Sequence, residues 1–134
     1  MTLPFETRTL ESAPVVIAPD GSAVRPLCAL PGAGSFAHFR LSPGDVARAV
    51  VHATVQEIWF VTAGAGEMWR RQGKAEETVA LTPGVCLTIP VGTEFQFRAA
   101  PDSPLEVVAA TMPPWPIDSE TEATPVKGIW TPTV

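Results

Sequence analysis

With 134 residues and a formal net charge of −5, the chain is long enough to bury one core and too short for two ordinary domains. No basic cluster is denser than Arg70, Arg71 and Lys74, so neither a nucleic acid nor an anionic membrane is expected as a partner. Fifteen prolines and ten glycines beside 46% hydrophobic residues indicate short segments joined by tight turns, and therefore an all-β domain.

The beginning of the chain, MTLPFETRTLE, contains acidic residues and no apolar stretch like that of a targeting signal. Elsewhere no apolar run reaches the ~18 residues needed to cross a bilayer. Neither Cys28 nor Cys86 belongs to a CxxC pair, so two reduced thiols are expected rather than a disulfide. These features predict a soluble, cytoplasmic protein.

Turn-forming stretches such as APDGS, LSPGD, TAGAG and APDSP then recur at short intervals. The runs between them are rich in Val, Ile, Phe and Trp and short enough for the strands of an antiparallel sandwich or barrel. The predicted strands are 14–18, 23–30, 35–41, 46–54, 57–62, 66–71, 77–81, 85–89, 94–98 and 105–111.

The predicted strand 57–62 is apolar on both faces. Trp59 and Val61 share one face with Glu57, and Ile58 and Phe60 share the other. Such a strand is expected where two sheets stack or two subunits pack. A homodimer is therefore expected.

After Thr111 the sequence becomes a proline-rich tail, MPPWPIDSETEATPVKGIWTPTV, in which neither a regular helix nor a central strand is expected. The apolar side chains of Trp115, Ile117, Ile129 and Trp130 favour a tail that docks in extended form on the barrel or on a partner subunit. We therefore divide the chain into a barrel domain at 1–112 and a tail at 113–134.

Two groups of residues, each flanked by glycine or proline, carry a recognisable motif. The first is Gly44, His52, Thr54, Glu57 and Gly64, and the second is Gly84, Pro90, Gly92 and Phe95. Over residues 35–111 this arrangement resembles the two motifs of the cupin superfamily. The resemblance implies a cupin-like double-stranded β-helix, or jelly-roll, barrel that is usually dimeric and has its site inside.

In the cupin superfamily the first motif supplies two histidines and a glutamate to a metal, and the second supplies a third histidine. By this resemblance His52 matches the first histidine and Glu57 the glutamate, whereas Thr54 stands at the second histidine and Phe95 at the third. A catalytic zinc or non-haem iron site needs about three protein ligands. We therefore expect no metal and no other cofactor.

A metal site remains an open alternative. A divalent transition metal would need an atypical ligand set, as in a metal-dependent oxygenase or isomerase, composed of His52, Glu57 and either His38 or Cys86.

Without a metal, His52 and Glu57 form a candidate acid–base pair. An isolated ionised Glu57 would be costly in an apolar barrel, so it is expected to be protonated, paired with His52 or in contact with ligand. Such a pair could move a proton near neutral pH. We interpret the chain as a small-molecule-binding cupin, either a metal-independent isomerase, cyclase or lyase for a hydrophobic metabolite or a non-catalytic binding or structural protein.

Further side chains are predicted to line a ligand pocket around this pair. They are Thr54, Trp59, Val61, Phe95, Phe97 and Arg40. The aromatic residues would favour a hydrophobic ligand, although they could equally serve as core, and the arginine could bind a carboxylate at the mouth.

Overall fold

The fold consists of short antiparallel strands. In the computed structural model, which describes residues 2–117 and 119–134, eleven strands and no helix are found. The strands are β1 (Val16–Ile17), β2 (Ala23–Leu30), β3 (Gly34–Leu41), β4 (Val50–His52), β5 (Gln56–Gly64), β6 (Gly66–Gln72), β7 (Ala75–Leu81), β8 (Cys86–Ile89), β9 (Glu94–Ala99), β10 (Leu105–Met112) and β11 (Ala123–Pro125).

These strands form two sheets. The six-stranded sheet has the order β1-β2-β3-β10-β5-β8, and the five-stranded sheet has the order β11-β4-β9-β6-β7. Consecutive strands therefore repeatedly cross from one sheet to the other, as β3 to β4 and β4 to β5 do. This connectivity places the end of β4 beside the beginning of β5, where the candidate pair lies.

The core lies between the inner faces of the two sheets. Phe39 of β3, Trp59 of β5 and Phe97 of β9 meet there, with Trp59 at 5.4 Å from the Phe39 ring and 4.9 Å from the Phe97 ring, both measured between centroids. Because neighbouring residues of a strand alternate between faces, Val61 is also buried, while Ile58 and Phe60 point outward.

A glycine allows the close turn between β5 and β6. Gly64 has a φ of +79°, and a Cβ atom at this position would lie 1.7 Å from the carbonyl oxygen of Pro104. Any other residue would combine backbone strain with a steric clash. Gly64 thus lets the β5–β6 connection pass against the start of β10.

The tail packs on the outer face of the five-stranded sheet. Gln96 of β9 points away from the core, and its amide group donates to the carbonyl oxygens of Ala47 and Trp130. Its Oε1 atom accepts from the backbone N–H groups of Ile129 and Trp130. A Cβ atom at Gly128 would lie 2.1 Å from that Oε1 atom and 2.7 Å from the Cβ atom of Ala49, so a larger residue there would displace the Gln96 amide group.

The structure confirms an all-β protein with two antiparallel sheets. It differs from the sequence prediction at 46–54, of which only Val50–His52 is a strand, because Ala47 and Ala49 form irregular backbone bonds to β9 and to the tail. The tail also supplies the edge strand β11. The division into a barrel domain at 1–112 and a tail at 113–134 stays a prediction. Residue 1 of the domain and residue 118 of the tail lie outside the described residues.

No helix that could span a membrane occurs in residues 2–117 and 119–134.

Candidate functional site

A short connection between the two sheets brings His52 and Glu57 together. His52 ends β4 in the five-stranded sheet, and Glu57 lies near the start of β5 in the six-stranded sheet. Glu57 points inward because it shares a face with Trp59 and Val61. Both members of the pair are buried, with 8% of His52 and 4% of Glu57 exposed.

The imidazole ring of His52 is held on three sides. Its Nε2 atom lies 3.5 Å from Oε2 of Glu57, slightly beyond a good hydrogen bond. The Phe95 ring lies parallel to it, at 5.8 Å between centroids and 8° between planes. The other carboxylate oxygen of Glu57 accepts a hydrogen bond from Trp59 Nε1 at 3.2 Å.

The third side of the imidazole is occupied by Glu122, a tail residue that the sequence analysis did not single out. Its Oε2 atom lies 3.0 Å from His52 Nδ1 and accepts the backbone N–H groups of Thr54 and Val55 at 3.0 and 3.1 Å. Its Oε1 atom accepts the Thr54 hydroxyl at 2.5 Å. Glu122 is therefore a buried carboxylate with four hydrogen-bond donors.

The two carboxyl groups beside His52 have pKa values displaced in opposite directions. Burial, which the hydrogen bond from Trp59 opposes and the nearby Asp20 and Glu122 reinforce, raises the pKa of Glu57 to about 7. Burial acts in the same sense on Glu122, but the hydrogen bonds from Thr54, Val55 and His52 outweigh it and lower the pKa to about 2. Near neutral pH, Glu122 is therefore ionised while much of Glu57 retains its proton.

A second missed residue, Asp20, lies on the same side of the barrel. It is buried, and burial raises the pKa of its carboxyl group, opposed by hydrogen bonds from the Ser22 hydroxyl and N–H groups. Asp20, His52 and Glu57 line one small cavity. Its other walls are Ala18, Pro19, Phe39, Val50, Phe95, Trp115 and Ala123.

This cavity has a volume of about 10 Å³. That is room for roughly one water molecule and not for a metabolite. Trp115 and Ala123, both from the segment after β10, form part of its wall.

Of the six predicted pocket residues, only Phe95 lines the cavity. Trp59, Val61 and Phe97 are buried in the core, and Thr54 is turned towards Glu122. Arg40 lies elsewhere: alternation along β3 places Phe39 inside and Arg40 on the outer face, where it donates to the Ser42 hydroxyl.

The two extra donors of the metal alternative are not brought to His52 and Glu57. His38 lies on the outer face of β3, where Nε2 is 3.0 Å from Oε1 of Glu106. Cys86 is exposed on β8, with its neighbour Leu87 in the core. Within residues 2–117 and 119–134, no group of three or more His, Cys, Asp or Glu side chains is arranged to hold a metal ion.

The donors at the centre itself fit a divalent metal poorly. Phe95 stacks on His52 where the cupin pattern has its third histidine, and a phenyl ring cannot ligate. Thr54, at the second histidine position, hydrogen-bonds to Glu122. His52 and Glu57 are left as the two remaining motif ligands.

Neither Glu122 nor Asp20 belongs to a local motif. Glu122 reaches His52 because β11 pairs with β4, with Ala123 opposite His52, and the two residues are 70 positions apart. The acids of the tail sequence SETEAT beside apolar residues are the one signal that could have pointed to it.

This barrel, with its incomplete metal motif on β4, β5 and β9, defines a cupin. Residues 37–111, more than half of the chain, match the family model described as "Cupin domain". The chain therefore belongs to the cupin family, as the spacing of its motifs predicted. A comparison with curated proteins gave no match.

Among solved structures, the chain is similar along almost its whole length to Streptomyces Pac13, described as a unique nucleoside dehydratase. The TM-score is 0.70 at 14% identity, over 96% of this chain and 95% of Pac13. A variant of Pac13 solved with uridine gives a TM-score of 0.71 at 13% identity, over the same shares of the two chains.

Two longer proteins share the fold over part of their length. The capsular polysaccharide assembling protein CapF of Staphylococcus aureus gives a TM-score of 0.68 at 16% identity, over 83% of this chain and 34% of CapF. The iron enzyme Fe(II)-HppE gives 0.66 at 13% identity, over 79% of this chain and 59% of HppE. This chain thus spans about a third of CapF, and these similarities show the fold alone.

Proposed function

We propose that this cupin is a metal-independent acid–base enzyme of the lyase type that removes water from a small hydrophobic metabolite. The observation that carries the proposal is the buried pair of His52 and Glu57, whose facing atoms lie 3.5 Å apart, with an ionised Glu122 on the far side of the imidazole. The imidazole of His52 therefore lies between a carboxyl group that largely retains its proton near neutral pH, Glu57, and one that is ionised, Glu122.

The arrangement of Glu122, His52 and Glu57 assigns a role to each residue. Glu122 can only accept, so His52 Nδ1 carries the proton between them and a neutral His52 presents an unprotonated Nε2 towards the cavity. Glu57 retains a proton near neutral pH because burial raises its pKa to about 7. His52 is therefore the general base and Glu57 the general acid.

Elimination of water needs one proton transfer to His52 and one from Glu57. His52 Nε2 takes a proton from carbon, the electron pair of that C–H bond forms the double bond, and the C–O bond to the leaving hydroxyl breaks. Glu57 gives its proton to that hydroxyl, which departs as water. Proton transfer from the imidazolium to the Glu57 carboxylate then restores the starting state across the same 3.5 Å. Since imidazole is a moderate base, the C–H bond must be acidified by an adjacent carbonyl group.

The surroundings of the pair support a hydrophobic substrate. Phe39, Val50, Phe95 and Trp115 surround the polar groups, so an apolar body would be buried against them. Pac13, which matches this chain along its length, is described as a dehydratase, and its structures with uridine support a small-molecule site in such a barrel.

The proposal includes a homodimer in the cytoplasm. The outer face of the six-stranded sheet exposes Phe36, Ile58 and Phe60, with 42 to 47% of each residue accessible, and a second copy would cover this apolar surface. Both cysteines are free and Cys86 is exposed, which suits a reducing compartment.

The test uses EDTA-treated protein with a panel of apolar β-hydroxy ketones and aldehydes, and uridine as an additional probe. Loss of one water molecule is followed by mass spectrometry, and deuterium uptake from D₂O reports proton abstraction. Glu57→Gln and His52→Gln should abolish both. Full activity in Glu57→Gln would contradict the proposal.

The outer face offers a matched control. His38 and Glu106 form a second histidine–carboxylate pair, at 3.0 Å, and neither residue lines the cavity. His38→Gln and Glu106→Gln make the same chemical changes and should leave turnover unchanged.

A non-catalytic binding or structural protein is the second candidate, and the cavity of about 10 Å³ favours it. Saturable thermal stabilisation by a probe without water loss or deuterium uptake would indicate binding alone. Metal in stoichiometric amounts that is lost in His52→Gln and Glu57→Gln would instead support the metal-dependent alternative.

A further inference from the structure

Residues 113–117 and 119–125, which we call the C-terminal strap, both form part of the cavity wall and contact the base. Trp115 and Ala123 of the strap line the cavity, and Glu122 lies beside Ala123 with only 6% of its surface exposed. The Glu122 side chain bonds to His52, Thr54 and Val55 as described above. The strap therefore supplies both part of the cavity wall and a carboxylate in contact with the imidazole.

The bond to Glu122 decides which nitrogen of His52 is basic. A neutral imidazole carries its proton on either nitrogen, and the acceptor beside it selects the form. Glu122 Oε2 lies 3.0 Å from Nδ1, whereas Nε2 has no acceptor closer than Glu57 at 3.5 Å. With Glu122 in place, the proton resides on Nδ1 and the lone pair on Nε2 faces the cavity.

The strap cannot uncover the cavity at Ala123 while leaving Glu122 where it is. Ala123 pairs with His52 in the β11–β4 ladder, and the carbonyl oxygen of Glu122 accepts the N–H group of Ala53 at 2.8 Å. A cavity of about 10 Å³ admits no metabolite until its wall moves. Displacing β11 at Ala123 therefore withdraws the Glu122 carboxylate from His52.

We propose that Glu122 is a positioning residue that makes Nε2 the basic nitrogen of His52 only while the C-terminal strap is docked. Opening of the strap admits the ligand and releases the imidazole from its partner. Closing of the strap buries the ligand and restores the Nδ1–H form. This inference rests on the proposed function for its role in catalysis, but its geometry can be tested without a substrate.

Nitrogen-15 NMR of the full-length protein reads the tautomer directly. The chain has two histidines, so His38 on the outer face serves as an internal reference. In the wild type, at a pH where His52 is neutral, we expect its proton on Nδ1. In Glu122→Ala we expect the proton to shift towards Nε2, and the N–H group of Ala53 to exchange with solvent faster. Glu122→Gln retains one acceptor oxygen and should preserve most of the Nδ1–H form.

The control is Glu120→Ala, which removes an exposed acid from the same segment and should change neither the tautomer nor the exchange. A wild-type His52 with its proton on Nε2 overturns the inference, even if Glu122→Ala fails to fold. An unchanged tautomer in a folded Glu122→Ala variant overturns it as well.

The two proposals fail separately. A Glu122-dependent Nδ1–H form in a protein without turnover would refute the enzyme and leave the positioning role intact. Once a probe compound that the wild type dehydrates has been found, Glu122→Ala should lower kcat far more than it changes KM, and Glu122→Gln should recover part of the loss. An active enzyme whose kcat is unaffected by Glu122→Ala would refute the positioning role alone.

Discussion

Replacement of Glu57 by glutamine tests whether the fold holds a protonated carboxyl group at its centre. Burial raises the pKa of Glu57 from 4.5 to about 7, so the folded chain keeps this proton over a pH range in which the unfolded chain has lost it. The free energy of unfolding must therefore fall as the pH rises from about 4.5 to about 7. At about 1.4 kcal/mol for each pH unit, this one group removes roughly 3 kcal/mol of stability.

Glutamine occupies the same space and cannot ionise. We expect Glu57→Gln to differ from the wild type by a constant amount below about pH 4.5, and to gain roughly 3 kcal/mol relative to the wild type by about pH 8. Urea unfolding followed by tryptophan fluorescence, repeated across this pH range, measures the change, and the four tryptophans supply the signal.

The comparison of slopes separates this effect from any fixed cost of the amide. Some decline with pH should remain in Glu57→Gln, since burial also raises the pKa of Asp20, and Asp20→Asn should reduce it. Glu11→Gln, at an exposed position near the N-terminus, should leave the slope unchanged. Parallel stability profiles for the wild type and Glu57→Gln would refute a protonated Glu57, and with it the assignment of the general acid.

Further predictions concern the tail, the outer face and the acid limit. Gln96→Leu removes four hydrogen bonds, three to the tail and one to Ala47, and should cost about 2–4 kcal/mol in urea unfolding; a smaller loss with the tail still resistant to proteolysis would contradict this. If the chain forms the proposed homodimer, Phe60→Lys should convert it to a monomer in sedimentation, whereas Val91→Lys, equally exposed in a turn, should not. Hydrogen bonds hold the pKa of Glu122 near 2, so its stabilisation is complete above about pH 4.5 and lost as the pH falls towards 2. Thr54→Val removes one of these bonds and should make acid unfolding begin at a higher pH, and an unchanged acid transition would refute this.

The barrel and part of the centre were predictable because their signals are local. Alternation places Phe97 and Trp59 in the core, and the spacing of His52 and Glu57 between glycines indicates the cupin motif. The side of the sheet on which His38 lies depends on the register of β3, which the sequence did not fix to one residue.

Glu122 could not be located in this way. Its position depends on the pairing of β11 with β4 across 70 residues, and a strand of three residues containing Pro125 has no recognisable pattern of its own. Alternation along β3 places Arg40 on the outer face, which the sequence could not indicate because it does not show which face of a strand is exposed, so a carboxylate-binding role for Arg40 stays a prediction.

In a complete cupin site a metal ion would balance the negative charge of the buried carboxylates. Here we infer that protons retained by Asp20 and Glu57 reduce that charge instead. Three carboxyl groups lie around one imidazole; one is stabilised as an anion by hydrogen bonds, and the other two have raised pKa values and so hold their protons more tightly. On this reasoning, Zn²⁺ and EDTA should leave the Tm of the wild type unchanged. Thr54→His combined with Phe95→His restores both missing ligand positions and should give a Tm that rises with Zn²⁺. A Zn²⁺-dependent rise in the wild type that disappears in His52→Gln would show that the retained pair still holds a metal.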